Sequence, residues 1–136
     1  MLEFAIVAVL LFTLIFGIIS YSYMMSFRQA LTQAAAEGAR AGAIAPSTLT
    51  ITNATSAVTD AIGSYSGVAC NDGRLTCNVT RAPCPTSPPP PATARTCVTV
   101  TVAYPYSSNP LLPAPPLMNF IFPSTLDFTS VAEANP

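Results

Sequence analysis

The chain has 136 residues, of which 51% are hydrophobic and only 8% are charged, and its formal net charge is −1. A charge this small excludes the basic surface on which binding to nucleic acid or to an anionic membrane depends. Histidine and lysine are absent and the six acidic residues are scattered, so the sequence offers no acid–base pair. We therefore expect a structural protein rather than an enzyme, with no metal ion and no cofactor.

The N-terminal segment is apolar and carries no charge between residues 4 and 25. Twenty residues of helix rise about 30 Å, which matches the hydrocarbon core of a bilayer. A signal-peptide core would be shorter and would be followed by a cleavage site of small residues, whereas helical spacing continues here through Arg28. The sequence therefore predicts a transmembrane helix at 4–25.

The charges that flank this helix conflict with the cysteines that follow it. Arg28 and Arg40 lie on its C-terminal side, which by the positive-inside rule would place the rest of the chain in the cytoplasm. Four cysteines in a small, proline-rich region instead indicate an oxidising compartment. The conflict disappears if a basic leader preceded Met1 and was removed, which leaves Glu3 near a new N-terminus. We therefore expect residues 46–136 to form an extracytoplasmic α+β domain.

The first helix is expected to continue beyond the membrane. Helical spacing persists to Ala45 and Pro46 ends it, so the sequence predicts one long helix over residues 1–45. Small residues recur at every fourth position on one face, at Ala30, Ala34, Gly38 and Gly42. Such spacing lets two helices approach closely, although alanine is also simply a good helix former. Because the two glycines weaken a helix, we favour a helix–helix contact along this small-residue stripe.

A second, shorter helix is expected directly after the proline. Ser47 or Thr48 is predicted to cap this helix at its start. Its apolar face is predicted to hold Val58, Ala61 and Ile62, where the helix ends.

Alternating residues predict the strands. The segment "GVACNDGRLTCNVT" is typical of two short strands around an Asn-Asp-Gly turn. In "TCVTVTVAYPY" valines alternate with threonines, which indicates one buried and one solvated face, and "STLDFTSVA" alternates less cleanly. Two proline-rich loops separate the strands, and four nearby aromatic residues are expected to pack a small core or a subunit interface: Tyr104, Tyr106, Phe120 and Phe122. The predicted fold class is α+β, with a long N-terminal helix followed by a small disulfide-stapled antiparallel β domain.

The four cysteines leave three possible pairings. They are separated by six, six and twelve residues, without the close pair of a zinc knuckle, so disulfides are favoured over a metal. Cys70 and Cys77 flank the predicted turn, and Cys84 and Cys97 flank the loop with four consecutive prolines. We prefer these two pairs. The alternative joins Cys77 to Cys97 and Cys70 to Cys84.

The N-terminal segment resembles that of TadE-like pilins, which are subunits of the tight-adherence branch of type IV pili. The resemblance is carried by Glu3-Phe4, by Gly17 in the apolar span, and by the runs at 28–31 and 37–41. It covers about the first 45 residues strongly and the rest loosely. In such pilins the glutamate is usually the fifth residue after cleavage, whereas here it is the third.

The resemblance implies a function and a set of partners. A prepilin peptidase would remove a short basic leader, and an assembly platform would move the chain from the inner membrane into an extracellular filament. The filament would consist of copies of this chain, of other pilins, or of both. Two alternatives stay open: a minor subunit that initiates or caps a pilus, and an unrelated single-pass protein whose exposed module binds a partner.

Glu3 has its own interpretation within this scheme. An ionised carboxylate in an apolar assembly needs a partner, and a free N-terminal ammonium group is the best one available. This agrees with what the resemblance implies for this glutamate, a role in subunit entry and register. The alternative is a side chain that lies among the lipid headgroups. We therefore assign Glu3, Phe4, Gly17 and the small-residue stripe to assembly.

Overall fold

A computed structural model describes residues 2–65, 67–85, 95–111 and 123–134. The elements in chain order are helix α1 (Leu2–Ile44), helix α2 (Thr50–Ile62), a short 3-10 helix (Gly63–Tyr65), and strands β1 (Thr76–Pro83), β2 (Thr96–Tyr104) and β3 (Leu126–Glu133). The α+β fold class is confirmed, because a long apolar helix precedes a three-stranded antiparallel sheet and two disulfides. The central parts of both proline-rich loops lie outside the described residues, as do Phe120 and Phe122.

Helix α1 is a single rod whose two halves have different surroundings. Its 43 residues span about 65 Å. It ends at Ile44, close to the predicted end, because a proline such as Pro46 disfavours helical geometry in the residue before it. Up to Ile19 its large side chains are exposed, whereas from Met24 onward one face is buried under the rest of the chain.

Helix α2 packs on the second half of α1 through residues spaced four apart. Its buried positions are Thr50, Ala54, Val58 and Ile62. Ala61 is exposed, so its predicted place on the apolar face is wrong. Residues three and four apart share a helix face, whereas neighbours in sequence point in different directions.

The start of α2 also differs from the prediction. Leu49 occupies the N-cap position and makes no side-chain capping bond, so neither Ser47 nor Thr48 is the cap. Both belong to a turn in which the N–H of Leu49 donates to the carbonyl of Pro46 at 2.8 Å. The Thr50 hydroxyl donates to the same carbonyl at 3.3 Å. The tight connection between the helices therefore uses the residues that the sequence assigned to the cap.

Strand β2 is the centre of the sheet, with β1 and β3 antiparallel on either side. The predicted alternation is confirmed: Val98, Val100 and Val102 are fully buried, and Thr99 and Thr101 lie on the opposite face. The buried face packs against both helices, with β2 and β3 on α1 and β1 on α2. The core therefore lies between the helix pair and one face of the sheet.

The first of the two short strands predicted around the Asn-Asp-Gly turn is absent from residues 67–75, all of which the structure describes. Only an isolated bridge between Cys70 and Leu75 precedes β1. The Asp72 carboxylate accepts hydrogen bonds from the N–H groups of Ala69, Arg74 and Leu75, at 3.2, 2.8 and 3.1 Å. Donors that a side chain satisfies locally are unavailable to a partner strand, so a compact loop replaces the hairpin.

The helices and the sheet define two ends of the folded unit. Strand β2 runs antiparallel to α1, since Val98 lies beside Gly42 while the ring of Tyr104 packs on Phe27 with 5.0 Å between centroids. We call the end with Phe27 and Tyr104 the proximal end, because it is nearer the N-terminal half of α1. The opposite end, near Gly42 and Val98, is the distal end.

Two disulfides close loops in the sheet domain, Cys70–Cys77 and Cys84–Cys97. This is the pairing preferred from the sequence. Cys77 pairs with Val102 in the β1–β2 ladder, so the first disulfide lies toward the proximal end. Cys97 is at the start of β2, which places the second disulfide at the distal end.

Candidate assembly helix and the core behind it

The apolar half-helix, residues 3–19 of α1, stands clear of the folded unit. Phe4 is 80% exposed, and large apolar side chains point outward on all sides of the helix. The exposed members are Phe4, Ile6, Val7, Val9, Leu10, Leu11, Phe12, Leu14, Ile15, Phe16, Ile18 and Ile19. By length and composition α1 could cross a membrane. A helix that is apolar all round is typical of lipid or of a packed helical core.

Three predicted assembly residues, Glu3, Phe4 and Gly17, lie on the apolar half-helix. Glu3 is exposed in the first turn, where the helix dipole favours a negative charge. Met1 lies outside the described residues, so the ion pair between Glu3 and an N-terminal ammonium group stays a prediction. Gly17 is about 21 Å along the rod from Glu3, so it lies at a different level of the helix from Glu3 and Phe4.

The glycines of the small-residue stripe allow α2 and β2 to pack at short distance against α1. A Cβ atom at Gly38 would lie 2.5 Å from Cγ2 of Val58, nearer than real Cβ contacts come. A Cβ atom at Gly42 would lie 3.0 Å from Cγ1 of Val98 and 3.2 Å from the Cβ of Ala54. Gly38 and Gly42 thus lie in close contact with α2 of the same chain.

The two alanines of the stripe, Ala30 and Ala34, are buried as well. The whole stripe is therefore part of the core of the folded unit. Its role in assembly stays a prediction. Such a role would act through the shape of the folded unit rather than through a surface open to a neighbouring chain.

An aromatic cluster fills the proximal end. Phe27 lies 6.1 Å from Tyr65 and 5.0 Å from Tyr104, and Tyr104 lies 6.4 Å from Tyr106, between ring centroids. The hydroxyl of Tyr65 shares a hydrogen bond of 2.9 Å with that of Ser26. Burial raises the pKa of Tyr104 and of Tyr106 above the usual value of a tyrosine. Tyr104 and Tyr106 pack the core as expected, whereas no periodic pattern in the sequence marks Tyr65.

Charged groups are few and lie at the surface. Ion pairs among the described residues include Arg40–Glu37, Arg74–Asp72 and Arg95–Glu133, at 2.8, 3.2 and 3.4 Å. Pairs of this kind contribute little to stability. Among the described residues, His, Cys, Asp and Glu form no group of three that could hold a metal ion.

The apolar half-helix thus continues into a small disulfide-stapled α+β unit. The model of the family described as TadE-like protein matches residues 1–40, which include the whole apolar half-helix and most of the buried half of α1. The match is consistent with a TadE-like protein of the Tad pilus, and the resemblance noted in the sequence is confirmed over this segment. No curated protein and no solved structure matches the chain.

Proposed function

We propose that the chain is a structural pilin subunit that assembles through its apolar half-helix into an extracellular filament of the Tad type. The observation that carries this proposal is the exposure of the apolar half-helix on a rod that runs unbroken into the folded unit. A rigid connection fixes the position of the folded unit relative to the helix. Packing the helices of many copies would therefore place the folded units at fixed positions around a filament core.

The free energy of exposing the apolar side chains to water supports two successive environments for the half-helix, the membrane and then the filament. Twelve large apolar side chains are exposed on this segment. Burial of each contributes about 1.5–3 kcal/mol, so the set contributes on the order of tens of kcal/mol, far more than a folded domain's net stability. Lipid covers them in the inner membrane before assembly, and neighbouring helices cover them in the filament.

Glu3 supplies register in this proposal. Leaving a carboxylate unpaired among packed apolar helices costs roughly 3–5 kcal/mol. Pairing with an N-terminal ammonium group, its own or a neighbour's, removes that cost, and pairing with a neighbour's does so at one axial position only. The family match at residues 1–40 supports the further partners, a prepilin peptidase and an assembly platform, because the resemblance to TadE-like pilins implies both.

The proposal is tested with filaments purified from cells that express Glu3→Ala. We expect the variant to enter the membrane normally, because the apolar span is unchanged, and to be depleted from filaments. Glu37→Ala is the matched control, since Glu37 forms only a surface pair with Arg40 at the far half of α1. Quantitative mass spectrometry of membranes and filaments measures both variants.

Incorporation of Glu3→Ala at the level of the parent would contradict the register role. The abundance of the parent chain in filaments from cells that express it distinguishes the two kinds of subunit. A shaft subunit is abundant, whereas a minor initiating or capping subunit is not. Filaments that lack the chain altogether would favour the single-pass binding module.

A further inference from the structure

We infer that the proximal end of the folded unit rests directly on the surface of a phospholipid bilayer while the apolar half-helix spans it. This inference rests on the membrane stage of the proposed function and adds a second contact, between the folded unit and the lipid headgroups.

The polar side chains at the two ends of the apolar half-helix are spaced along α1 as a bilayer requires. Tyr21 and Tyr23 follow the apolar half-helix, and the rise from Glu3 to Tyr23 is about 30 Å, the thickness of the hydrocarbon core. Tyrosine side chains favour the boundary between acyl chains and headgroups. Arg28 lies about 38 Å from Glu3, so both charges fall within the 40–45 Å that includes the headgroups.

The folded unit begins at this same level, without a stalk. Met24 is already buried, and Phe27 is fully buried among the aromatic cluster. Burial, then Tyr104 and then Tyr23, raise the pKa of Tyr106, so Tyr23 also lies near the folded unit. The rod is helical throughout, so the chain has no joint between the predicted span and the unit that could lift the unit away from the headgroups.

The proximal surface is suited to zwitterionic headgroups. Its tip includes the turn at 105–109, which the N–H of Asn109 closes by donating to the carbonyl of Pro105 at 3.1 Å. The loop at 70–77 lies beside it, because Thr76 pairs with Ala103 near the end of β2. Arg28 follows Phe27 at this end, Arg74 and Asp72 lie in the loop at 70–77, Asp127 pairs with Ala103, and Asp60 follows Thr59, whose hydroxyl accepts from the N–H of Cys70. These two positive and three negative charges nearly balance. Polar contacts with the headgroups, and the position of Tyr21 and Tyr23 at the boundary of the acyl chains, therefore hold the unit on the bilayer. Net charge does not.

The absence of tryptophan from the chain allows a direct depth measurement. Three single-tryptophan variants of the full chain are reconstituted in phosphatidylcholine vesicles whose acyl chains are brominated close to the headgroup. Tyr21→Trp reports the boundary of the span, Ser108→Trp reports the proximal turn, and Leu49→Trp reports the distal end, where Leu49 is 48% exposed. Peptide mapping of both disulfides verifies the fold of each variant.

We expect Tyr21→Trp to lose most of its fluorescence, Ser108→Trp to lose a clear fraction, and Leu49→Trp to keep the intensity that it has in unbrominated vesicles. Quenching at position 21 with none at position 108 would overturn this inference and leave the proposed function intact. Equal quenching at 49 and 108 would overturn the upright orientation. Absence of quenching at position 21 would contradict the membrane stage of the proposed function as well.

Discussion

Asp72 organises the loop that the first disulfide closes. Its carboxylate accepts three backbone hydrogen bonds, and the bond from the N–H of Arg74 is the largest cause that lowers its pKa from 3.8 to about 2. The bonds from Leu75 and Ala69 and the charge of Arg74 act in the same direction, and partial desolvation opposes them. The folded loop therefore binds the ionised carboxylate more favourably than the protonated one.

Because the pKa of Asp72 is lower in the folded state, the stabilisation that its charge provides is complete above pH 4. It is lost as the pH falls through the folded-state pKa of about 2. We expect Asp72→Asn to lower the unfolding temperature at pH 6 and to have less effect as the pH approaches 2. Thermal unfolding of both proteins in detergent between pH 6 and pH 2 measures the difference. A difference that stays constant across this range would show that the charge of Asp72 does not stabilise the loop.

At the scale of secondary-structure elements, the contact between α1 and α2 depends on Gly38. Alanine in a helix is normally more stable than glycine by about 1 kcal/mol. Here the added Cβ would lie 2.5 Å from the Val58 side chain and 3.2 Å from the backbone oxygen of Ala54. Valine is stiff at χ1 and a helix backbone does not yield easily, so the helices must move apart.

We therefore expect Gly38→Ala to destabilise the folded unit, with overpacking of about 1–3 kcal/mol outweighing the gain in helix propensity. Near-ultraviolet circular dichroism of the tyrosines during heating measures this in the detergent-solubilised monomer, where assembly plays no part. Gly63→Ala is the matched control, because a Cβ there has nothing within 4 Å. Adding Val58→Ala to Gly38→Ala should recover part of the loss. An unfolding temperature for Gly38→Ala at or above that of the parent would contradict the contact.

The elements differ in how far the sequence predicts them. The C-terminal end of α1 and the faces of β2 follow from local patterns: helical spacing that persists up to Pro46, and valines that alternate with threonines. The small-residue stripe through Gly38 predicts close packing of α1 against another element. The identity of that element depends on the path of the chain after α1, which the spacing of small residues does not encode. The hairpin prediction is wrong because the side chain of Asp72 competes with the ladder for backbone donors. Among the site residues, the position of Glu3 is predictable from the sequence, whereas its partner is not.

The disulfides are a second test at the scale of elements. Trypsin cleaves after arginine, and the five arginines of the chain place each cysteine on a separate peptide: 41–74, 75–81, 82–95 and 96–136. Without reduction, we expect 41–74 to remain joined to 75–81, and 82–95 to 96–136, as Cys70–Cys77 and Cys84–Cys97 require. Peptide 75–81 joined to 96–136 would instead establish the alternative pairing. Loss of each disulfide should destabilise the sheet domain by about 2–3 kcal/mol in the loop-entropy model.

At the scale of the whole molecule, the two halves of α1 have separable roles, one in the folded unit and one in the proposed assembly. Its second half is part of the core of the folded unit, where Phe27, Leu31 and Ala34 are fully buried. The apolar half-helix contributes no residue to that core among the described residues, since the core cluster on α1 begins at Met24. The function proposed for the chain therefore depends on a segment that the stability of the folded unit does not require.

A chain that lacks residues 1–16 should consequently fold. We expect it to form both disulfides, to unfold within a few degrees of the full chain in the same detergent, and to stay with the aqueous phase when vesicles are added. The matched control lacks residues 1–30 and so loses Met24 and Phe27, the latter packed on Tyr65 and Tyr104. Removing a buried phenylalanine alone costs about 3–5 kcal/mol, so this control should lose its cooperative unfolding transition. If the chain without residues 1–16 also lacks a cooperative transition, the apolar half-helix belongs to the folded unit, and the division of the rod into two roles fails.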